Sequence, residues 1–134
     1  MSVEAEKTKI SGVRLVRPEE RILAAAQTAG MVREEAVQTD HLWAGIARTK
    51  PGNMSNWHHH GEWETVAYVI EGACRLEFGP GGQDVVVGQP GDYIYIPKGE
   101  IHRESNPTEG EQALVIVRFG GGQVVSNVDG PVSE

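Results

Sequence analysis

Turn signals cut this chain into short pieces. Lys50-Pro51-Gly52, Glu71-Gly72, Gly79-Pro80-Gly81-Gly82, Gly88-Gln89-Pro90-Gly91-Asp92, Pro97-Lys98-Gly99 and Gly120-Gly121-Gly122 each gather residues that bend a backbone. The apolar runs between them are of strand length, and several are rich in β-branched and aromatic residues. Strands are predicted at Val13–Val16, Val32–Val37, Leu42–Arg48, Ser55–His60, Thr65–Ile70, Ala73–Phe78, Asp84–Val87, Tyr93–Ile96, His102–Ser105, Ala113–Phe119 and Val124–Val128. Ala113–Phe119 is the most apolar and is expected at the centre of a sheet. One brief helix is expected where Pro18 opens the stretch to Ala26, because proline suits a first helical turn. About ten short strands at 8–12-residue spacing, without a repeat, predict an all-β sandwich or barrel. At 134 residues the chain suits one domain, expected over 13–130 behind a polar tail at 1–12.

Charge and cysteine content narrow the function classes. Twelve basic residues against nineteen acidic ones leave a formal charge of −7. No basic patch gathers for nucleic acid, so none is expected as a partner. No apolar stretch nears the ~18 residues of a membrane span, and MSVEAEKTKI lacks the apolar segment of a signal peptide. The lone Cys74 precludes an internal disulfide framework and fits a reducing, cytoplasmic setting. Its place in a strand-like run reads as a buried, inert thiol.

The stretch PGNMSNWHHHGEWETVAYVIEG, Pro51 to Gly72, carries chemistry. Side chains alternate faces along a strand, so His58 and His60 share one face and His59 takes the other. Two imidazoles about 7 Å apart along a strand can converge on one ion. Extending the same parity gives Glu64 to that face as a carboxylate ligand. Such a set suits a divalent transition metal. A solvated polar strand end would explain the tract equally well on its own.

A second stretch, Gly91–Asn106 or GDYIYIPKGEIHRESN, supplies His102. Together the two resemble the cupin superfamily, small single-domain and RmlC-like, whose motifs are G-x5-H-x-H-x3,4-E-x6-G and G-x5-P-x-G-x2-H-x3-N. Gly91, Pro97, Gly99, His102 and Asn106 fill the second at its spacing. Gly52, His58, His60 and Glu64 fit the first, whose closing Gly72 arrives one residue late. That lateness predicts a bulge or a longer connection after Glu64. The resemblance covers about residues 42–119. It implies an antiparallel double-stranded β-helix, the jelly-roll barrel. It further implies that His58, His60, Glu64 and His102 hold one divalent ion, Fe, Mn, Ni, Cu or Zn, inside that barrel. Four protein ligands on an octahedral ion leave about two positions for water, substrate or dioxygen. A closed structural zinc would fill its shell with protein ligands, so an open working site is expected.

From this comes a metal-dependent cupin enzyme on a small organic substrate, with Fe or Mn dioxygenase or oxidase chemistry first. Glu64 would double as a catalytic base. The alternatives are a non-redox isomerase, lyase or decarboxylase, and a non-catalytic metal- or metabolite-binding cupin. A homodimer is what the resemblance implies, and Trp43, Trp57 and Trp63 are candidates for burial against the partner. Arg33, Arg75 and Arg103 read as surface groups rather than substrate clamps, and His41 as surface or pocket rim. Arg103 or Glu104, directly after His102, is expected to support it. Asn106 is expected to brace its turn. Tyr93 and Tyr95 share one face and Ile94 and Ile96 the other, with the inward pair undetermined.

Overall fold

The structure is a computed structural model that describes residues 12–132. The expected tail therefore lies outside the described residues except for Gly12. Among the described residues eleven strands follow in chain order: β1 (Ile22–Leu23), β2 (Val32–Gln38), β3 (Leu42–Arg48), β4 (His58–His59), β5 (Glu64–Glu71), β6 (Cys74–Phe78), β7 (Asp84–Gly88), β8 (Tyr93–Ile96), β9 (His102–Ser105), β10 (Ala113–Phe119) and β11 (Ser126–Asn127). They form a six-stranded sheet, β1-β2-β3-β10-β5-β8, and a five-stranded sheet, β11-β4-β9-β6-β7. Every paired strand runs antiparallel. Two such sheets closed face to face make the jelly-roll architecture.

Alternation along each strand decides what enters the space between the sheets. In β10 the inner face carries Leu114, Ile116 and Arg118, and the outer face carries Val117 and Phe119. In β8 Ile94 and Ile96 go in, while Tyr93 and Tyr95 face out. Trp43, Ala47, Trp63, Ala67, Val69, Cys74, Leu76, Leu114 and Ile116 make the buried core. β10 lies between β3 and β5, as its apolar composition requires. Gly45 on β3 is needed for close approach: a Cβ there would run into the Glu34 carbonyl oxygen and the Trp43 ring. The absence of a side chain lets the indole lie over the sheet.

Four expected elements differ, among them the strand expected over Val124–Val128, which shrinks to β11. Pro18–Glu20 is a single 3-10 turn, and Ile22 and Leu23 leave it as a strand pairing with Glu35 and Glu34. Sheet pairing outweighs the helix propensity of this short segment, which offers no buried face. Val13–Val16 forms no strand. The strand expected over Ser55–His60 shrinks to β4, with an isolated bridge joining Met54 to Ser105.

Candidate metal centre

His58 and His102 are direct cross-strand partners, on β4 and β9 of the five-stranded sheet. His60 follows β4 at the start of a turn closed by Trp63 N–H donating to the His60 carbonyl, at 3.0 Å. All three imidazoles are buried, and one ring nitrogen from each lies within 4.8 Å of the others. Ring centroids are 4.4 Å apart for His58 and His102, 5.2 Å for His58 and His60, and 5.1 Å for His60 and His102. His59 is outside the cluster, its Nδ1 accepting from Gly61 N–H. His41 is exposed beside the Gly120 carbonyl.

Each ring is held by a backbone carbonyl. Nδ1 of His58 lies 2.9 Å from Asn56 O, that of His60 2.9 Å from Val124 O, and that of His102 2.8 Å from Glu100 O. A carbonyl only accepts, so Nδ1 carries the proton and Nε2 of the neutral ring carries the lone pair. Burial, with Arg118 and the other two imidazoles nearby, holds His60 well below its ordinary pKa. Burial and His58 hold His102 down to about 4. Neutral imidazole is the form that binds metal. Nε2 of His58 and of His102 is buried without a hydrogen-bond partner. Such orphaned atoms cost about 1–3 kcal/mol each, and a cation between them would supply the missing partner. The donor set therefore fits a divalent transition ion.

Glu64 does not belong to this set. It opens β5 on the outer face, exposed, and accepts a hydrogen bond from Tyr95 Oη at 2.8 Å. Strand parity does not carry across from His60, because residues 61 and 62 form a turn with Gly61 at φ 56°. After that turn Trp63 and Thr65 face inward. The late glycine held the signal: counted with four residues after His60, the motif position falls on Thr65, and Gly72 then follows after the required six. Thr65 occupies the place of the expected carboxylate, and its Oγ1 is buried without a partner. β5 also bulges, its register against β10 stepping past Ile70.

The carboxylate that does reach the histidines is Glu104, two residues beyond His102 on the same face of β9. Its Oε2 stands 3.4 Å from His58 Nε2. Burial favours its neutral form, while Arg33, and His58 and His102 when they are protonated, favour the carboxylate and lower its pKa. Two arginines join it inside: Arg33 on β2 and Arg118 on β10, both buried. Arg33, expected at the surface, donates through Nη2 to Thr28 Oγ1 at 3.0 Å. Arg103 pairs with Glu77 and lies 4.4 Å over the Trp57 ring, and Arg75 pairs with the same carboxylate. Asn106 braces its turn, donating to Thr49 O and Gly110 O and accepting from Thr108 N–H. Cys74 is buried and its thiol pKa is raised by burial, which leaves it unreactive.

The centre opens on a cavity of about 430 Å³ between the unpaired edges of β7 and β8. Leu76, Phe78, Ile94 and Ile96 form apolar walls, and His102 is part of the lining.

This barrel and its histidines are those of a cupin, and residues 45–118 match the family model of the cupin domain. The chain belongs to that family. A search of curated protein sequences finds no match. Among solved structures, a double-stranded β-helix protein of Klebsiella pneumoniae is similar at TM-score 0.70 and 18% identity, over 87% of this chain and 98% of that one. The polyketide cyclase RemF of Streptomyces resistomycificus is similar at TM-score 0.70 and 21% identity, over 87% and 86%. An RmlC-like cupin of Shewanella frigidimarina is similar at TM-score 0.65 and 18% identity, over 82% and 93%. These likenesses establish the fold. No helix among the described residues is long and apolar enough to cross a membrane.

Proposed function

We propose that this cupin is a metal-dependent enzyme acting on a small organic molecule with an apolar body. One observation carries the reading: three buried imidazoles, their Nδ1 atoms engaged by carbonyls, each bring a ring nitrogen within 4.8 Å of the others, and His102 lines an apolar cavity. His58, His60 and His102 would hold the ion. When bound it supplies Lewis-acid polarisation of a substrate oxygen and, as Fe or Mn, a redox couple for dioxygenase or oxidase chemistry. The apolar walls keep water from the substrate and strengthen every charge interaction inside. The test loads the apo-protein separately with iron(II), manganese(II), nickel(II), copper(II) and zinc(II). Each form is offered small acids, diketones and enediols under an oxygen electrode. Oxygen uptake with iron or manganese but not zinc supports the redox form.

A second reading draws on Glu104. An ionised carboxylate 3.4 Å from a ligand imidazole would serve as the proton acceptor that an isomerase, lyase or decarboxylase requires. Substrate loss without oxygen uptake, with zinc competent, selects this reading. Binding without turnover under every metal selects a non-catalytic cupin. We infer as well that two copies pair through the outer face of the six-stranded sheet. Val66, Ile70, Tyr93, Tyr95, Val117 and Phe119 are exposed there on neighbouring strands, an apolar area suited to a second copy. Trp43 and Trp63 are buried in their own barrel, so this face replaces them as the support for a homodimer.

A further inference from the structure

Three orphaned buried atoms beyond the two histidine nitrogens lie on one rung of the six-stranded sheet. They are Thr65 Oγ1 on β5 and Arg118 Nε and Nη1 on β10. Thr65 and Arg118 are direct partners in the ladder. The rung continues on both sides. Ile96 pairs with Thr65 and lines the cavity. Trp43 pairs with Arg118, and its ring lies under the guanidinium at 4.9 Å. The rung thus leads from the cavity wall through a hydroxyl to a cation backed by an indole.

Arg118 is only 2% exposed, and among the described residues no carboxylate oxygen lies within 4.0 Å of it. Burial and Arg33 push its pKa down to about 9, so it stays charged at neutral pH. It lies on the inner face of β10, turned into the same space between the sheets as the buried histidines, and its charge is among the causes that lower His60 and His102. A buried guanidinium lacking an ion pair is costly. The fork of N–H donors matches a carboxylate, and the Thr65 hydroxyl can donate to the same group.

We propose that Arg118 and Thr65 form an anion subsite beside the three histidines, and that it takes the carboxylate of an acid whose apolar, ring-sized body fills the neighbouring cavity. This names the substrate class of the site proposed above and rests on that reading for placing the reaction at the histidines. Arg118 and Thr65 bind and orient the acid, and the apolar walls select its body.

The test is calorimetry and thermal melting with benzoate, its neutral counterpart benzamide, and inorganic phosphate as probes. It uses the zinc-loaded and the metal-free protein, with metal content measured in each. Wild type should bind benzoate at least about tenfold more tightly than benzamide or phosphate. Arg118→Met should erase that preference while keeping the metal. Its ligand-free melting temperature should equal or exceed that of wild type, since a buried charge without a direct ion-pair partner is gone. Thr65→Val, which keeps the shape of the side chain, should weaken benzoate several-fold and serves if Arg118→Met does not fold. Retained benzoate preference in the foldable variants overturns the proposal. So does a lower melting temperature in Arg118→Met with probe binding unchanged, which makes the arginine structural. Phosphate bound as tightly as benzoate overturns the carboxylate assignment. Metal absent from wild type with the benzoate preference intact defeats the metal reading alone. Metal present with no preference defeats the subsite alone.

Discussion

The tautomers of three imidazoles carry most of what this site can do. Each places its proton on Nδ1, toward a carbonyl of Asn56, Val124 or Glu100. The geometry makes individual residues separable by experiment. In protein purified without immobilised metal, His60→Ala and His102→Ala should each lose the divalent ion. The affinity loss should exceed the roughly 10–100-fold typical of removing an outer partner. His59→Ala and Glu64→Ala should keep it. Elemental analysis of the four variants decides this, and equal loss in all would mean a surface cluster. Arg118 was missed in the sequence through parity, since it shares its face with Leu114 and Ile116; of the two expected supports of His102, parity left Arg103 or Glu104 open, and it is Glu104 that shares the His102 face. The alternation was there to be read, but which face turned inward was not. Glu64 was misplaced because parity was carried through Gly61, where a positive φ resets it. Only the spacing from Thr65 to Gly72 marked the error.

At the scale of elements, most strands were legible because turns bounded them chemically. Leu42–Arg48, Tyr93–Ile96, His102–Ser105 and Ala113–Phe119 stand where alternation and Gly/Pro punctuation put them. The stretch before β2 was not legible, because Ile22 and Leu23 gain their partners only from β2, a long-range pairing that local propensity does not encode. The β2–β3 pair offers a sharp test. Gly45→Ala would press a methyl against the Glu34 backbone and the Trp43 ring. Neither can yield without parting the two strands or moving the indole from beneath Arg118. A loss of about 2–4 kcal/mol in denaturant unfolding is expected. A change below about 0.5 kcal/mol would mean the two strands are held less closely than described here.

The whole molecule couples its stability to the site. His102 titrates at about 4 when folded and at 6.5 ordinarily. Between those values the unfolded chain binds the extra proton, so stability rises with pH across that window. It is fully present above about 6.5 and is lost as pH falls toward 4. The contribution is on the order of 3 kcal/mol. His60 acts in the same direction. Metal-free protein should therefore melt several degrees lower at pH 5 than at pH 7 by calorimetry, and a flat profile would mean the imidazoles are solvated. Light scattering over a tenfold dilution should give the mass of two chains, and the mass of one would reject the sheet-face dimer. The central claim is that three histidines, without Glu64, gather one divalent ion inside the barrel. Anomalous diffraction at the metal absorption edges, on crystals of protein purified without a nickel column, tests it directly. The predicted result is one anomalous peak among the Nε2 atoms of His58, His60 and His102, with Glu64 still bound to Tyr95 on the outer face. A peak at His59, outside the cluster, or one coordinated by Glu64, would contradict it.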